Sequence, residues 1–276
     1  MPDPRPVFLP LEKHLPALAG RGWRASLRNA LEILLGIRSC RLLLAKLEPM
    51  LECGKSVFDA FLDLCEVKLD AAGVAAAIPA TGPLVIIANH PFGGMDGLAV
   101  AALATRSRPD VRFLVNAELL ALPGAGDYLL ALEILGEDGA PRRNSASLKQ
   151  AVRHLRNAGV LVVFPAGAVA HWQWRTARVE DPPWPLHAAR IVRRARAPVL
   201  PIRVFGRNGP LFQILGACHP MLRTALICRA FLAMRGHTIA CRAGPLLPFA
   251  ALPENPAALS TALRHAVESV PPNSGN

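Results

Sequence analysis

Apolar runs recur through the middle of the chain, and more polar segments separate them. Short runs of this kind predict buried strands, which we expect at 84–88, 111–115, 160–164, 199–205 and 238–242. Stretches with helical spacing separate most of these runs, at 98–106, 145–157 and 187–196. Strands that alternate with helices predict an α/β fold in which helices cover a β-sheet.

The N-terminal region has a different pattern. Prolines are frequent in the first 20 residues, which predicts irregular structure there. From about residue 26 to residue 65 the leucines follow helical spacing, with arginines on the other sides, and Pro49 and Gly54 are expected to divide this segment into at least two helices. Helices that cover the core are the favoured interpretation. A membrane-facing role for part of this basic, leucine-rich segment is the alternative.

The segment 71–95 contains no Asp, Glu, Lys or Arg and has the length of a membrane span. Because Pro79, Gly82 and Pro83 interrupt it, we interpret it as a helix end, a turn and a buried strand. The expected organisation is a Pro-rich and helical segment at 1–70, one domain at 71–268 and a disordered tail at 269–276.

Composition narrows the classes of partner. Hydrophobic residues make up 52% of the 276 residues, which excludes global disorder. The formal charge of +11 favours an acidic partner, either nucleic acid, an anionic membrane surface or an acidic carrier protein. No nucleic-acid-binding signature is present, so nucleic acid ranks last. The six cysteines show no metal-ligand spacing, so we expect reduced thiols, no metal site and, without a visible secretory signal, a cytoplasmic location.

The segment from Asn89 to Gly97 follows the first strong strand prediction and precedes a predicted helix. Active sites of α/β sheets lie beyond the carboxyl ends of the strands, where this turn falls. His90 can accept a proton near neutral pH, and Asp96 can fix its tautomer and stabilise its charged form. Gly93 and Gly94 allow a ligand to approach the backbone closely. A catalytic turn is therefore favoured over a structural turn with a buried histidine.

A second turn contains Phe164, Pro165 and Gly167 and follows the strand predicted at 160–164. By itself it is an ordinary Pro-Gly turn, and His171 beyond it is better explained as structural than as catalytic. If the two strands are neighbours in the sheet, this turn and the His90 turn form opposite walls of one cleft.

Two arginine-containing segments are candidate anion sites. Arg207 and Asn208 follow a predicted strand, where the guanidinium can bind a phosphate or a carboxylate, although a solvated arginine is an equally good interpretation. Arg142 and Arg143 precede a predicted helix whose first N–H groups would also attract an anion. For this segment a solvated loop with Asn144 as the helix N-cap is slightly preferred.

The Asn-His…Asp turn, the Phe-Pro-x-Gly turn and the Pro-Val-Leu-Pro sequence at 198–201 occur in that order. This ordered set resembles the glycerolipid acyltransferase superfamily, which includes lysophosphatidic acid acyltransferases. Residues 89–97 are more narrowly similar to a bacterial branch, often labelled "putative hemolysin", that includes O-acyltransferases acting on lyso forms of amino-acid-containing lipids. The matches extend to 206–208 and 222–225. The resemblance implies an α/β fold with a mixed central β-sheet, flanking helices and an N-terminal helical segment.

The resemblance also implies an activity: transfer of a fatty acyl group from an acyl thioester to a lysolipid hydroxyl. Acyl carrier protein or coenzyme A would carry the acyl group as a co-substrate, with no other cofactor, and the enzyme would lie peripherally on the inner face of the cell membrane. His90 would be the general base and Asp96 its orienting residue. Substrate-binding candidates are Asn89, Phe92, Gly93, Gly94, Arg142, Arg143, Phe164, Pro165, Gly167, Arg207 and Asn208.

The chain departs from the usual family pattern in two places. Five residues separate His90 from Asp96 where the superfamily usually has four, and the resembling branch shares this longer form. Ala168 stands where the family usually has Glu, and Ala170 where relatives often have Ser. The second departure leaves the acceptor open and motivates an alternative, a non-catalytic lipid-binding protein with the same fold.

Overall fold

The computed structural model describes residues 11, 15–132 and 140–272. Its main sheet contains β1 (Lys68–Asp70), β2 (Leu84–Ala88), β3 (Val111–Asn116), β4 (Leu129–Leu132), β5 (Val160–Val163), β8 (Val199–Phe205) and β9 (Thr238–Ala243). A separate two-stranded hairpin consists of β6 (His171–Gln173) and β7 (Arg178–Glu180).

The seven strands lie in the order β1-β9-β8-β2-β5-β3-β4. Their pairings are parallel apart from the antiparallel pair of β8 and β9. The sheet is therefore mixed, and the predicted fold class is confirmed. β2 lies at the centre between β8 and β5, with Ile86 opposite Leu200 on one side and opposite Val162 on the other. This adjacency places the turns that follow β2 and β5 side by side.

The helices are α1 (Trp23–Leu34), α2 (Ile37–Glu52), α3 (Val57–Leu64), α4 (Val74–Ala77), α5 (Gly94–Ser107), α6 (Ala140–Arg156), α7 (His187–Ala195), α8 (Pro210–Cys218), α9 (Pro220–Ala225), α10 (Ile227–Ala233) and α11 (Pro256–Glu268). Short 3-10 segments occur at Pro16–Leu18, Ala117–Ala121, Gly126–Tyr128 and Phe249–Ala251. None of the described helices is both long enough and apolar enough to cross a bilayer.

Alternate residues of β2 pack into two hydrophobic cores on opposite faces of the sheet, because successive strand side chains point to opposite sides. Ile86 belongs to the core formed with α2, α3 and α5. Val85 and Ile87 belong to the core formed with α6, α7 and α11. All five residues of β2 are buried, as expected for a central strand covered on both faces. This three-layer packing holds the carboxyl end of β2 in place.

The five strand predictions are confirmed to within one residue at each end. The three-residue strands β1, β6 and β7, the edge strand β4 and the helices after β8 were not predicted from the sequence. Short strands show too few alternations for a periodic signal, so their existence depends on partners elsewhere in the chain.

The prediction that Pro49 divides the N-terminal helices is wrong. Pro49 lies inside α2, whereas the predicted division at Gly54 is confirmed, because α2 ends at Glu52 and α3 begins at Val57. Proline removes one helical hydrogen bond, but Leu47 before it is fully buried and Leu51 after it packs on the core, which offsets that loss. A second division, at Gly36, separates α1 from α2.

The helix predicted from residue 145 begins earlier, so the interpretation of Asn144 as an N-cap is wrong. α6 spans Ala140–Arg156, which places Arg142, Arg143 and Asn144 within the helix rather than in a loop before it. The side chains of Arg142 and Arg143 lie outside the described part of the chain. Most of the Pro-rich start and residues 273–276 lie outside it too, and the division at 70 and 268 stays a prediction.

Candidate active site

His90 and Asp96 are in contact at the carboxyl end of β2. The Nδ1 atom of His90 lies 2.9 Å from Oδ1 of Asp96, and neither atom has another hydrogen-bond partner in the described parts of the chain. The Asp96 side chain is fully buried, whereas 20% of the His90 side chain is exposed. With Nδ1 held by the carboxylate, Nε2 is left to face a substrate, which is the arrangement that a general base requires.

Asp96 does not lie on the turn, as the sequence suggested, but in the first turn of α5. Its second oxygen, Oδ2, accepts hydrogen bonds from the backbone N–H groups of Phe92 at 2.8 Å and Gly93 at 3.2 Å. A carboxylate near a helix N-terminus is also stabilised by the helix dipole. The aspartate therefore closes the turn onto the helix with one oxygen and holds His90 with the other.

Gly93 makes this turn possible in two ways. Its φ of 85° is one that residues with a side chain rarely adopt. In addition, a Cβ atom placed there would lie 2.9 Å from Cδ1 of Ile227 and 3.0 Å from Cγ2 of Val169. Both neighbours come from later parts of the chain, so the glycine is required by tertiary packing as well as by backbone geometry.

The electrostatic surroundings favour a positive charge on His90. Burial lowers the pKa of the imidazole, but the charge of Asp96, its hydrogen bond and the charge of Asp181 together raise that pKa above its ordinary value. A raised pKa makes the imidazole a stronger base, at the cost of a smaller unprotonated fraction at neutral pH. The site is thus suited to accepting a proton and stabilising the imidazolium that results.

Asp181 is a residue of this site that the sequence analysis missed. Its Oδ1 accepts a hydrogen bond from the backbone N–H of His90 at 3.1 Å, and its Oδ2 accepts one from Nε1 of Trp184 at 3.0 Å. Burial raises the pKa of this carboxyl group, although both hydrogen bonds and the charge of His90 oppose that rise. The sequence shows Asp181 three residues before Trp184, but no pattern in the sequence links these two residues to the His90 turn about 90 positions earlier.

Asn89 joins the His90 turn to the neighbouring strand β8. Its Nδ2 donates to the carbonyl of Val204 and its Oδ1 accepts from the N–H of Val204, both at 2.8 Å. Phe92 is buried in the core, and a Cβ atom on Gly206 would lie only 2.3 Å from its ring. Both side chains hold the turn in place, and their expected roles in substrate binding stay predictions.

The turn after β5 lies beside the His90 turn, because the two strands are neighbours in the sheet. The ring centre of Phe164 lies 4.8 Å from that of His90, and the N–H of Ala170 donates to the His90 carbonyl at 2.8 Å. Pro165 is buried, whereas Gly167 is exposed and has a φ of 63°. This turn supports His90 through a ring contact and a backbone hydrogen bond.

The third predicted segment follows β8. Arg207 is exposed, while Asn208 is buried with no hydrogen-bond partner for its Nδ2 among the described residues. The carbonyl of Asn208 accepts a hydrogen bond from Gln213 at 3.1 Å.

The last predicted site residue is Gly94, which begins α5 and packs against the ring of Phe231. Within the described ranges, no group of three or more His, Cys, Asp or Glu side chains is placed to hold a metal ion.

Comparison with known families identifies the region that contains this site. Residues 74–205 match the family model described as Acyltransferase. This segment is therefore similar to acyltransferase domains. It runs from α4 to the end of β8 and so includes His90, Asp96, Asp181 and the turn after β5.

The chain is also similar to two curated proteins named "Lyso-glycine lipid O-acyltransferase". The one from Phocaeicola vulgatus is 24% identical over 163 residues, which are 59% of this chain and 56% of the relative. The one from Bacteroides thetaiotaomicron is 24% identical over 165 residues, which are 59% of this chain and 57% of the relative. The chain therefore matches a little over half the length of these relatives.

The crystal structure of the 1-acyl-sn-glycerophosphate (LPA) acyltransferase PlsC from Thermotoga maritima has a similar fold. The TM-score is 0.51 at 15% sequence identity, and the match covers 92% of this chain and 83% of that one. A likeness at this identity shows the fold. With the family model and the curated relatives, it confirms the resemblance to the glycerolipid acyltransferase superfamily.

Proposed function

We propose that this protein is an O-acyltransferase that moves a fatty acyl group from an acyl thioester to a hydroxyl of a lysolipid. The observation that carries the proposal is the contact between His90 and a fully buried Asp96, at 2.9 Å, beyond a central parallel strand. The acyltransferase-family match of residues 74–205 supports the reaction class.

In the proposed reaction, Nε2 of His90 takes the proton from the acceptor hydroxyl as its oxygen attacks the thioester carbonyl carbon. Asp96 balances the imidazolium charge. The tetrahedral intermediate then collapses, the C–S bond breaks, and the departing thiolate takes the proton from His90. The N–H groups of Phe92 and Gly93 already bind Asp96, so we propose that the next N–H group, that of Gly94 at the start of α5, stabilises the oxyanion.

The decisive experiment is a turnover assay with purified protein, acyl thioesters and lysolipids, comparing His90→Ala with the unmodified chain. Loss of a general base is expected to lower kcat by about 10²–10⁴-fold. His237→Ala is the matched control, because that histidine is exposed and its ring bonds only the nearby Arg235 carbonyl among the described contacts. Full turnover by His90→Ala would refute the proposed mechanism.

The acceptor is proposed to be a lysolipid with an amino-acid head group, because both curated relatives are named for a lyso-glycine lipid. The donor is proposed to be an acyl-acyl carrier protein or acyl-coenzyme A, and the formal charge of +11 suits either one. Competition assays that pair each donor with lyso-glycine lipid and with lysophosphatidic acid would rank the substrates by kcat/KM. A higher kcat/KM for lysophosphatidic acid would contradict the proposed acceptor class.

Peripheral attachment to the inner face of the cell membrane is part of the proposal. Helix α1 contains no buried residue, and Trp23, Ile33 and Leu34 are 70%, 58% and 60% exposed. The guanidinium of Arg24 lies 5.5 Å from the ring centre of Trp23. Exposed apolar side chains beside basic ones are typical of a surface that binds anionic lipid. The helices after it, α2 and α3, cover the core, as the sequence analysis favoured.

A vesicle sedimentation assay tests the attachment. The double variant Trp23→Ser with Leu34→Ser should bind phosphatidylglycerol vesicles less tightly, because two apolar side chains no longer enter the bilayer interface. Leu120→Ser serves as the control, since Leu120 is 49% exposed but lies in a different segment. Equal binding by the double variant and the control would exclude α1 as the attachment surface.

A non-catalytic lipid-binding protein is the second candidate, and Ala168 and Ala170 motivate it. The backbone of Ala170 still bonds to His90, so these alanines leave the His90 turn intact. Saturable lipid binding that is insensitive to His90→Ala, without any thioester consumption, would favour this candidate. Turnover that depends on His90 would exclude it.

A further inference from the structure

A second cationic feature lies beside the candidate active site, on Arg223 of α9. The Nη1 atom of Arg223 lies 3.0 Å from Nδ1 and 2.9 Å from Nε2 of His171, so the guanidinium rests against the imidazole ring. The aliphatic part of the side chain lies against Gly216 of α8, where an added Cβ would be 3.6 Å away. Packing on both sides therefore holds the guanidinium in a defined position.

No negative charge in the described part of the chain balances this guanidinium. The Arg223 guanidinium forms no ion pair or hydrogen bond with an oxygen atom there, and its polar contacts are those with His171. Burial lowers the pKa of the guanidinium, which reflects the cost of removing a charge from water. Buried charges are normally paired, so an unpaired and half-buried arginine is a position at which an anion would be stabilised.

His171 is held in its neutral form and adds no second charge. Its Nδ1 donates to the Val169 carbonyl at 2.9 Å, and its Nε2 accepts from Nε2 of Gln173 at 3.0 Å. Burial lowers the pKa of His171, and the charge of Arg223 adds to this effect, although the hydrogen bond with the Val169 carbonyl opposes it. The imidazole thus acts as a neutral support for the guanidinium.

The position of Arg223 ties it to the His90 site from two directions. His171 follows Ala170, whose N–H donates to the His90 carbonyl at 2.8 Å. Ile227, four residues after Arg223, lies beside Gly93, where an added Cβ would come within 2.9 Å of its Cδ1 atom. His171 and the segment that follows Arg223 are therefore both held against the turn that carries His90.

We propose that Arg223, resting on neutral His171, forms a subsite for an anionic oxygen group of a substrate. The inference rests on the proposed function and deepens it, because it identifies the residue that recognises an acidic substrate. A planar guanidinium binds a carboxylate or a phosphate by two parallel hydrogen bonds. The two sources of this chemistry are the head group of the acceptor lipid and the phosphates of the acyl donor.

A binding measurement tests the subsite without requiring turnover. Calorimetry on the full chain compares N-octanoylglycine, which carries a carboxylate, with its neutral methyl ester, and separately measures coenzyme A. Arg223→Met should weaken binding of the recognised anion by roughly tenfold or more, the range for a charge-assisted hydrogen bond, and leave the ester unchanged. Arg223→Gln provides a second, more polar replacement if the methionine variant does not fold.

The source of the anion follows from which probe is affected. Selective loss of N-octanoylglycine binding identifies the acceptor head group, and selective loss of coenzyme A binding identifies the donor phosphates. Arg190→Met removes the same charge from an exposed position on α7 and should leave the affinities for all three probes unchanged. Equal affinities in Arg223→Met and the unmodified chain, or a loss that also includes the ester, would overturn the subsite.

Failure of the subsite and failure of the proposed function give different results. Binding that depends on Arg223 in a protein without His90-dependent turnover would retain the subsite and reject the acyl transfer. Turnover that depends on His90, with anion binding that does not depend on Arg223, would reject the subsite alone.

Discussion

The turns after β2 and β5 leave neighbouring parallel strands, and they differ in what their residues contribute. The turn after β2 carries His90 and leads directly to the buried Asp96, so it holds a pair of ionisable groups. From residue 164 to residue 170 the other turn contains only apolar residues and glycine. The first turn thus has the groups that can move a proton, and the second supports them through Phe164 and the backbone of Ala170.

This difference shows how a buried charge is maintained. Asp96 receives two backbone hydrogen bonds from its own turn and one ionisable partner, so its desolvation is compensated locally. The second turn needs no such compensation, because its contacts with His90 involve an aromatic ring and a neutral N–H group. Substitutions in the first turn should therefore alter activity or stability far more than substitutions in the second.

The largest effect is expected from Asp96→Asn. The amide oxygen must take the place of Oδ2, which accepts from Phe92 and Gly93, so the amide NH₂ then faces His90. Because Nδ1 of His90 then faces the amide NH₂, a donor, Nδ1 must be unprotonated. The ring proton therefore lies on Nε2, where it blocks general-base action. We expect kcat to fall by about 10²–10⁴-fold in steady-state assays. A loss below tenfold would show that Asp96 does not set the tautomer.

Gly93→Ala should follow, with stability as the measured quantity. A side chain at a φ of 85° is strained, and its Cβ would crowd Ile227 and Val169. Strain and overpacking each cost about 1–3 kcal/mol, so the urea midpoint should fall clearly. Gly97→Ala is the control: no atom lies within 4 Å of its added Cβ, so stability should be unchanged or slightly increased. Matching midpoints for the two variants would contradict the crowding.

Asp181→Asn tests the residue that positions His90, and it should have an intermediate effect. An amide cannot accept hydrogen bonds from both His90 and Trp184 through its two terminal atoms, so one buried donor loses its partner, at about 1–3 kcal/mol. The variant also removes a charge that raises the pKa of His90.

The pH dependence of this variant distinguishes positioning from simple loss of structure. In the unmodified chain, kcat/KM should rise with pH through an apparent pKa above the ordinary histidine value, because the base acts when unprotonated. In Asp181→Asn the His90 pKa falls, so the same rise should occur at lower pH. A profile that keeps its midpoint would leave Asp181 with a structural role only.

The smallest effect is expected from Phe164→Leu, which changes the supporting wall. Loss of the ring beside His90 removes about 0.5–1.5 kcal/mol of aromatic contact, which corresponds to a few-fold lower kcat with the pH profile nearly unchanged. Ala168→Ser is the control, because it changes the same turn by a single hydroxyl group. Val163→Ala is unsuitable for this purpose because Val163 is buried in a core. If Phe164→Leu lowered kcat as strongly as Asp96→Asn, the contrast between the two turns would be wrong.

Much of the fold could be predicted from the sequence, because the buried strands correspond to unbroken runs of apolar residues. β2 and β8 begin and end where those runs do. The missed elements are those without a local signal, such as β1 and the β6–β7 hairpin, whose few residues form strands only because a partner strand binds them. Pro49 shows the opposite case, in which a strong local helix breaker is overridden by packing of the leucines around it.

By itself, the sequence determined the position of His90 and Asp96 at a strand end, because residues six apart along a turn and helix start can meet through local geometry alone. Only the tertiary structure brought Asp181, Val204 and Arg223 into this region. The reason is physical: the order of strands in a sheet is set by burial and hydrogen bonding between distant segments. No spacing along the chain records those pairings.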